Sequence, residues 1–399
     1  MDHKTQDSRQ ALSTTEAFPD KPYLPPENLA RLETHVLRPH GEPRINPPDY
    51  SISVRSKFGT DQQLHYPGER RQSLRGFEEH YTDIIDFIVR ATHFVWEEKN
   101  VGYIYEFYGM ESRIVDDSGL QFGRDRVVAN TLQAINAFPD FRGYADEVVW
   151  AGDDEVGFVT SHRAVLRGTN TGYSQNGAPT GRKVAYWLIA ECWTIANEIR
   201  EEWVLYNNTS ALQQLGYDVR EKAREAGSQV NWDSVLAQRS GEPERIIGHN
   251  KPVYLPPPSG AFDPGDFLKR MYHYVWNWRM FGKVRDAYAA NLRFYGPSDR
   301  QGYGRGEYQA YIISLISMFP DLAITIDDQY WMGNEAEGFT TSTRWSIVGT
   351  HTGPGVYGKP TGRRVYMWGI TQHVIKDGKI TEEWMMFNEF EVMAQILRE

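Results

Sequence analysis

The chain has 399 residues, long enough for two independent cores, and its 12 Trp, 23 Tyr and 18 Phe describe a globular protein rich in rings. A formal charge of -10 argues against a nucleic-acid partner, whose phosphates it would repel. One cysteine, Cys192, excludes an internal disulfide framework, and the polar start with no long apolar run leads us to expect a cytoplasmic protein without a membrane partner.

In chain order, residues 1–75 carry scattered prolines (Pro25, Pro26, Pro39, Pro47, Pro48) without a sustained period, which predicts an irregular arm. A helix follows over about 78 to 98, with Ile84, Ile88, Ala91 and Val95 on one face. A second begins after Gly123-Arg124 and stops at Phe138-Pro139-Asp140, because proline disfavours a helical residue before it. Extended runs then occupy 156–166, 182–194 and 199–207. Residues 219–263, with Pro252, Pro256, Pro257, Pro258 and Gly260, read as a semi-rigid linker. From Asp266 the same order returns: a helix with Phe267, Met271, Tyr274 and Trp278, a second helix after Gly304-Arg305, and strands over 338–348, 363–375 and 380–388.

The return is a repeat in fixed register. Between 123–207 and 304–388, at an offset of 181, 32 of 85 residues are identical. Phe138-Pro139-Asp140 recurs as Phe319-Pro320-Asp321, Gly168 to Gly172 as Gly349 to Gly353, Pro179 to Arg182 as Pro360 to Arg363, and Glu201-Glu202-Trp203 with Asn207 as Glu382-Glu383-Trp384 with Asn388. So long a period means two whole domains, at 76–218 and 264–399, rather than stacked repeats. Helices first and a strand meander afterwards give an α+β class, with helices covering one sheet face.

This motif order, with Asp377-Gly378-Lys379-Ile380 before the last strand, resembles the SnoaL-like polyketide cyclase family of the nuclear transport factor 2-like superfamily. The resemblance implies two tandem cone-shaped domains, each a curved antiparallel sheet wrapped on helices, with a pocket at the wide end. It also implies pairing through the sheets, hence an intramolecular pseudo-dimer, and leaves room for a homodimer of the whole chain. One departure stands out: four residues after the last-strand Trp the cyclases carry an acid–base aspartate, and here the residues are Asn207 and Asn388. An amide cannot take and return a proton at ordinary pH.

Strand alternation places Trp203, Leu205 and Asn207 together, as it does Trp384, Met386 and Asn388. The resemblance makes these the pocket side and adds Trp187, Ile189, Glu191 and Trp193 from the preceding strand, with Trp368, Ile370, Gln372 and Val374 in the second repeat. A carboxylate between indoles should have a raised pKa, so Glu191 is the candidate acid or base; its competing reading is a buried partner of an arginine such as Arg163. Arg163 and Arg344 suit a substrate carboxylate or enolate oxygen, or pairing with the nearby Glu-Glu steps, and structural pairing is the favoured use. His162 shares no face with Arg163 and is expected at an interface. His351 falls in a turn and His373 on the face away from the pocket.

No metal signature, P-loop or dinucleotide fingerprint occurs, so no cofactor is expected. The first reading is a lyase, isomerase or cyclase acting beside a carbonyl of a small, largely apolar substrate. Glu191, Asn207 and Arg163 would be catalytic, and Trp187, Trp193, Trp203, Arg344, Trp368, Gln372, Trp384 and Asn388 would bind substrate. A non-catalytic small-molecule-binding or assembly protein and an epoxide-type hydrolase are the alternatives.

Overall fold

The computed structural model describes residues 43–44, 54–55, 69–116, 119–229 and 253–398. The rest of the expected arm, and 230–252 of the expected linker, lie outside the described residues. Two short arm strands are described, β1 (Pro43–Arg44) and β2 (Val54–Arg55).

The first repeat opens with α1 (Ile84–Trp96), where the Asp83 side chain accepts from the Asp86 N–H and so satisfies a free helix donor. Then come α2 (Ile104–Phe107), β3 (Tyr108–Asp116), β4 (Gly119–Phe122) and α3 (Arg124–Ala137). The meander β5 (Arg142–Asp153), β6 (Gly157–Thr169), β7 (Lys183–Ile195) and β8 (Glu198–Tyr206) follows, and α4 (Asn208–Leu215) ends the unit. Helix α5 (Val219–Gln229), within the segment read as linker, comes next.

The second repeat repeats the plan. It runs α6 (Pro264–Met271), a π-helical turn at Tyr272–Asn277, α7 (Val284–Ala287), β9 (Tyr288–Gly296), β10 (Arg300–Tyr303) and α8 (Gly304–Met318). It closes with β11 (Ala323–Asn334), β12 (Gly338–Thr350), β13 (Arg364–Lys376), β14 (Lys379–Phe387) and α9 (Glu389–Leu397).

Each repeat builds one sheet, ordered β2-β5-β6-β7-β8-β3-β4 and β1-β11-β12-β13-β14-β9-β10. The sheets are mixed rather than wholly antiparallel, because β3 lies parallel to β8 and β9 parallel to β14. The two arm strands extend the free edges of β5 and β11. The tight turn predicted at Asp377-Gly378 has positive φ at both residues, and Ala196-Asn197 adopts the same turn in the first repeat (φ 46° and 70°) despite its poorer sequence. There the Asn197 side chain compensates by accepting from the Glu78 N–H and donating to the Glu106 carbonyl.

One face of each sheet meets its own helices and the other meets the opposite repeat. Trp187, Ile189, Leu205, Trp368, Ile370 and Met386 form one buried cluster drawn from both halves. Trp187 meets Trp384 edge to face and Trp203 meets Trp368 likewise, both at 5.3 Å between centroids. Such reciprocal pairs are the mark of an isologous, two-fold-like contact.

Candidate active site in the first repeat

This packing inverts the faces expected from the sequence. The residues grouped by alternation do share a face, but it is the face between repeats. Glu191 accepts 2.8 Å from Arg344 Nε and 3.2 Å from the Tyr330 hydroxyl, both on the second repeat. Arg344 stands 4.0 Å over the Trp203 ring. Burial works against its charge, but Glu191, with Asp328 and Asp327 nearby, outweighs burial and holds the guanidinium above its ordinary range. The mirror pair joins Arg163 to Gln372 at 2.8 Å, with Arg163 4.0 Å over Trp384 and 2.6 Å from Asp146. Trp193 donates to the Val156 carbonyl at the adjoining hairpin. Thus Glu191, Arg163, Trp187, Trp203, Arg344, Trp368, Gln372 and Trp384 are brought together at the junction and away from the cavity described below.

Asn207 is also at the junction. Its amide donates 2.8 Å to Asp299 and accepts 2.9 Å from the Ser298 N–H, clasping the β9–β10 hairpin of the other repeat. An aspartate here would face the Asp299 carboxylate, which supplies a local reason for the amide. Asn388 caps α9 by accepting from the Glu391 N–H, and it borders the cavity of the first repeat.

That cavity, about 800 Å³, lies between the helices and the other face of the sheet. Ile88 and Trp96 of α1 and Val127 and Ala134 of α3 wall one side. Strand register lays out the opposite wall in rows: Thr160, Cys192 and Glu202; then His162, Ala190 and Val204; then Ala164, Leu188 and Tyr206. All of these but Thr160 line the cavity.

Two titratable groups in it are displaced from their ordinary values. Burial pushes the Glu202 carboxyl from 4.5 to about 7, the Tyr108 hydroxyl donating at 2.8 Å pulls it partly back, and Asp116 adds to the rise. Glu202 keeps intermediate surface exposure while lining this cavity, so we take that exposure as facing the enclosed space. Burial likewise lowers His162 to about 4, with Asp146 opposing, so the ring is neutral near pH 7. His162 Nε2 is buried without a hydrogen-bond partner. His162, expected at an interface, is therefore in the cavity.

The sequence reading overlooked Glu202 and Tyr108. The available signal was a carboxylate retained in both copies of Glu-Glu-Trp on the face opposite Trp203. In the second repeat Glu383 accepts 2.8 Å from Tyr288, whose hydroxyl lies 2.5 Å from that of Tyr308, and His373 is 3.4 Å away, so His373 points into its own repeat. The side chains around this cluster are larger than their first-repeat equivalents. At the offset of 181, Trp345 replaces Ala164, Tyr308 replaces Val127, Ile312 replaces Thr131 and Met385 replaces Val204, and all four are fully buried. Gly369, in place of Leu188, admits the Trp345 indole: a Cβ there would stand 2.2 Å from the ring. Among the described residues no cluster of three or more His, Cys, Asp or Glu is arranged to hold a metal ion, and no helix is long and apolar enough to cross a membrane.

An α+β unit of helices on a strongly paired mixed sheet defines a nuclear transport factor 2-like domain, present here twice, and the first copy holds the cavity. Residues 86–215 and 267–396 each match the SnoaL-like polyketide cyclase model, and the chain belongs to that family. Similar solved structures include a SnoaL-like protein from Jannaschia sp. CCS1 (17% identity, 35% of this chain and 98% of that one, TM-score 0.31). IdmH from Streptomyces antibioticus (21%, 34% and 98%, TM-score 0.29) and TsrD from Streptomyces laurentii (20%, 34% and 98%, TM-score 0.30) are others. No curated protein matches the chain.

Proposed function

We propose that the first repeat is a carbonyl acid–base enzyme of the cyclase or isomerase type, with Glu202 as its proton-transfer group. The observation that carries the reading is a carboxyl that burial holds at about 7 on the wall of the cavity. A base poised near the working pH combines adequate ionisation with adequate strength. Glu202 removes a proton from the carbon next to a carbonyl; the C–H electrons form the enolate, and the proton rests on the carboxyl. The same proton is returned to a different carbon in an isomerisation, or to the alkoxide formed when the enolate carbon attacks a second carbonyl of the same molecule in a cyclisation. Ligand entry would uncover the buried, unpartnered Nε2 of neutral His162, which then donates to a substrate oxygen in the tautomer protonated there. Two strands and one row separate the two side chains, about 12 Å between Cβ atoms on a flat sheet and less on a curved one, a span that a dicarbonyl segment bridges. Tyr108 orients Glu202 through its hydrogen bond.

Binding without turnover is the second reading, favoured by Asn207, whose amide is committed to Asp299 where the family places its acid–base aspartate. Deuterium uptake from D2O into 2-tetralone and anthrone, followed by mass spectrometry, separates the two. Catalysed exchange that Glu202→Gln lowers by about 10²- to 10⁴-fold supports the enzyme. Saturable binding with no exchange above the buffer rate supports the binder.

A further inference from the structure

Helix α5 follows the first repeat in the chain, yet it packs as part of the second. Val219 and Ala223 belong to the second repeat's buried core. Arg220 donates to the carbonyls of Val356 and Tyr357 at 3.3 and 2.9 Å. Gly227 lies so near α9 that a Cβ would stand 2.3 Å from the Ala394 carbonyl oxygen. The outward side of α5, with Lys222, Glu225 and Gln229, borders the cavity of the first repeat, as do Phe390 and Glu391 of α9. Glu225 and Gln229 are exposed, as are Gln133 and Asn136 of the same lining, whereas His162 and Cys192 are buried. The exposed set marks the mouth and the buried set the floor.

We infer that the second repeat, through α5 and α9, sets the size limit for ligands entering the first repeat's cavity. The ligand class is then one with a flat apolar body that passes the rim and a polar end that stays at Lys222, Glu225 and Gln229. This rests on the reading of the cavity as the working site, but it does not depend on turnover.

Cys192 provides the test, because it is the chain's single cysteine and lines the cavity. Labelling rates with N-ethylmaleimide and N-(1-pyrenyl)maleimide compare one chemistry at two sizes, measured on the full chain, on Arg220→Ala and on Gly227→Leu. The first variant removes the two carbonyl bonds, and the second forces α5 away from α9. Burial pushes the Cys192 thiol up, so both rates are slow and are read over hours at one fixed pH; we expect the small reagent to label the unmodified chain and the pyrenyl reagent to be excluded. Both variants should raise the pyrenyl-to-ethyl ratio about tenfold, with the small reagent's rate within about threefold. An unchanged ratio in Arg220→Ala and Gly227→Leu, a parallel rise of both rates, or no labelling of the unmodified chain by the small reagent would each overturn the inference. Because the readout is alkylation of Cys192, its failure leaves the deuterium-exchange result for Glu202 standing, and the reverse also holds.

Discussion

Replacing Glu202 by glutamine should make the protein more stable at pH 8 and leave it nearly unchanged at pH 4.5. In the folded chain the carboxyl titrates at about 7 against an ordinary value of 4.5. Because the folded value is raised, the native state holds the proton over that interval while the unfolded chain has released it. Stability contributed by the neutral carboxyl is complete below about 4.5 and is lost as pH rises to about 7. At about 1.4 kcal/mol per pH unit of displacement, the loss is about 3–4 kcal/mol, an upper figure because water entering the cavity would weaken the cause. Glutamine keeps the shape and the acceptor for Tyr108 but carries no charge to bury. Urea unfolding of both proteins at several pH values between 4.5 and 8.5 reads the difference directly. His162, lowered to about 4, has its own stability loss between about 6.5 and 4 as pH falls, but it is present in both proteins and drops out of the comparison. Parallel stability curves across the whole range would show that Glu202 titrates as an exposed carboxyl, and the acid–base assignment would lose its physical basis.

Glu191→Gln should cost about 2 kcal/mol, below the usual 3–5 for breaking a buried charge pair, since Asp327 and Asp328 remain near Arg344 and the opposite half already uses an Arg–Gln pair. Its deuterium-exchange rate should stay within about twofold; a hundredfold fall would restore Glu191 as the acid–base residue. Ala164→Trp combined with Leu188→Gly transplants the second repeat's indole-on-glycine filling into the first. The double variant should lose anthrone binding by at least about a hundredfold in isothermal titration while it unfolds cooperatively, and retained affinity would place the ligand elsewhere.

Much of the architecture was legible because the chain states its plan twice. The three last strands of each repeat fall within a few residues of the runs read from alternation, and the α+β class follows from helices preceding strands. The hairpin β3–β4 and its counterpart β9–β10 were not legible. Gly109, Glu111 and Arg113 interrupt any apolar alternation in β3, and its partner β8 is nearly a hundred residues away, paired in parallel. The cavity wall was missed for a different reason. Alternation sorts residues into two faces but does not say which faces inward, and here both faces are covered. Rings at Trp187, Trp203, Trp368 and Trp384 suggested a pocket wall, yet rings fill space and suit a dry junction. The empty volume lies over the small side chains Ala164, Ala190 and Cys192. Where copies differ in size at matched positions, as Ala164 and Trp345 do, the smaller residue locates the open cavity.

Joining both halves in one polypeptide has a genetic consequence. In a pair of identical subunits, any substitution that closed one interior would close the other, and a residue serving a rim would appear at both rims. Here the indole of Trp345 occupies one interior where Ala164 stands in the other, and α5 of the first half packs on the second. Covalent fusion therefore frees the copies to diverge, so that one retains an open chamber while its sibling becomes a rigid foundation for the doorway.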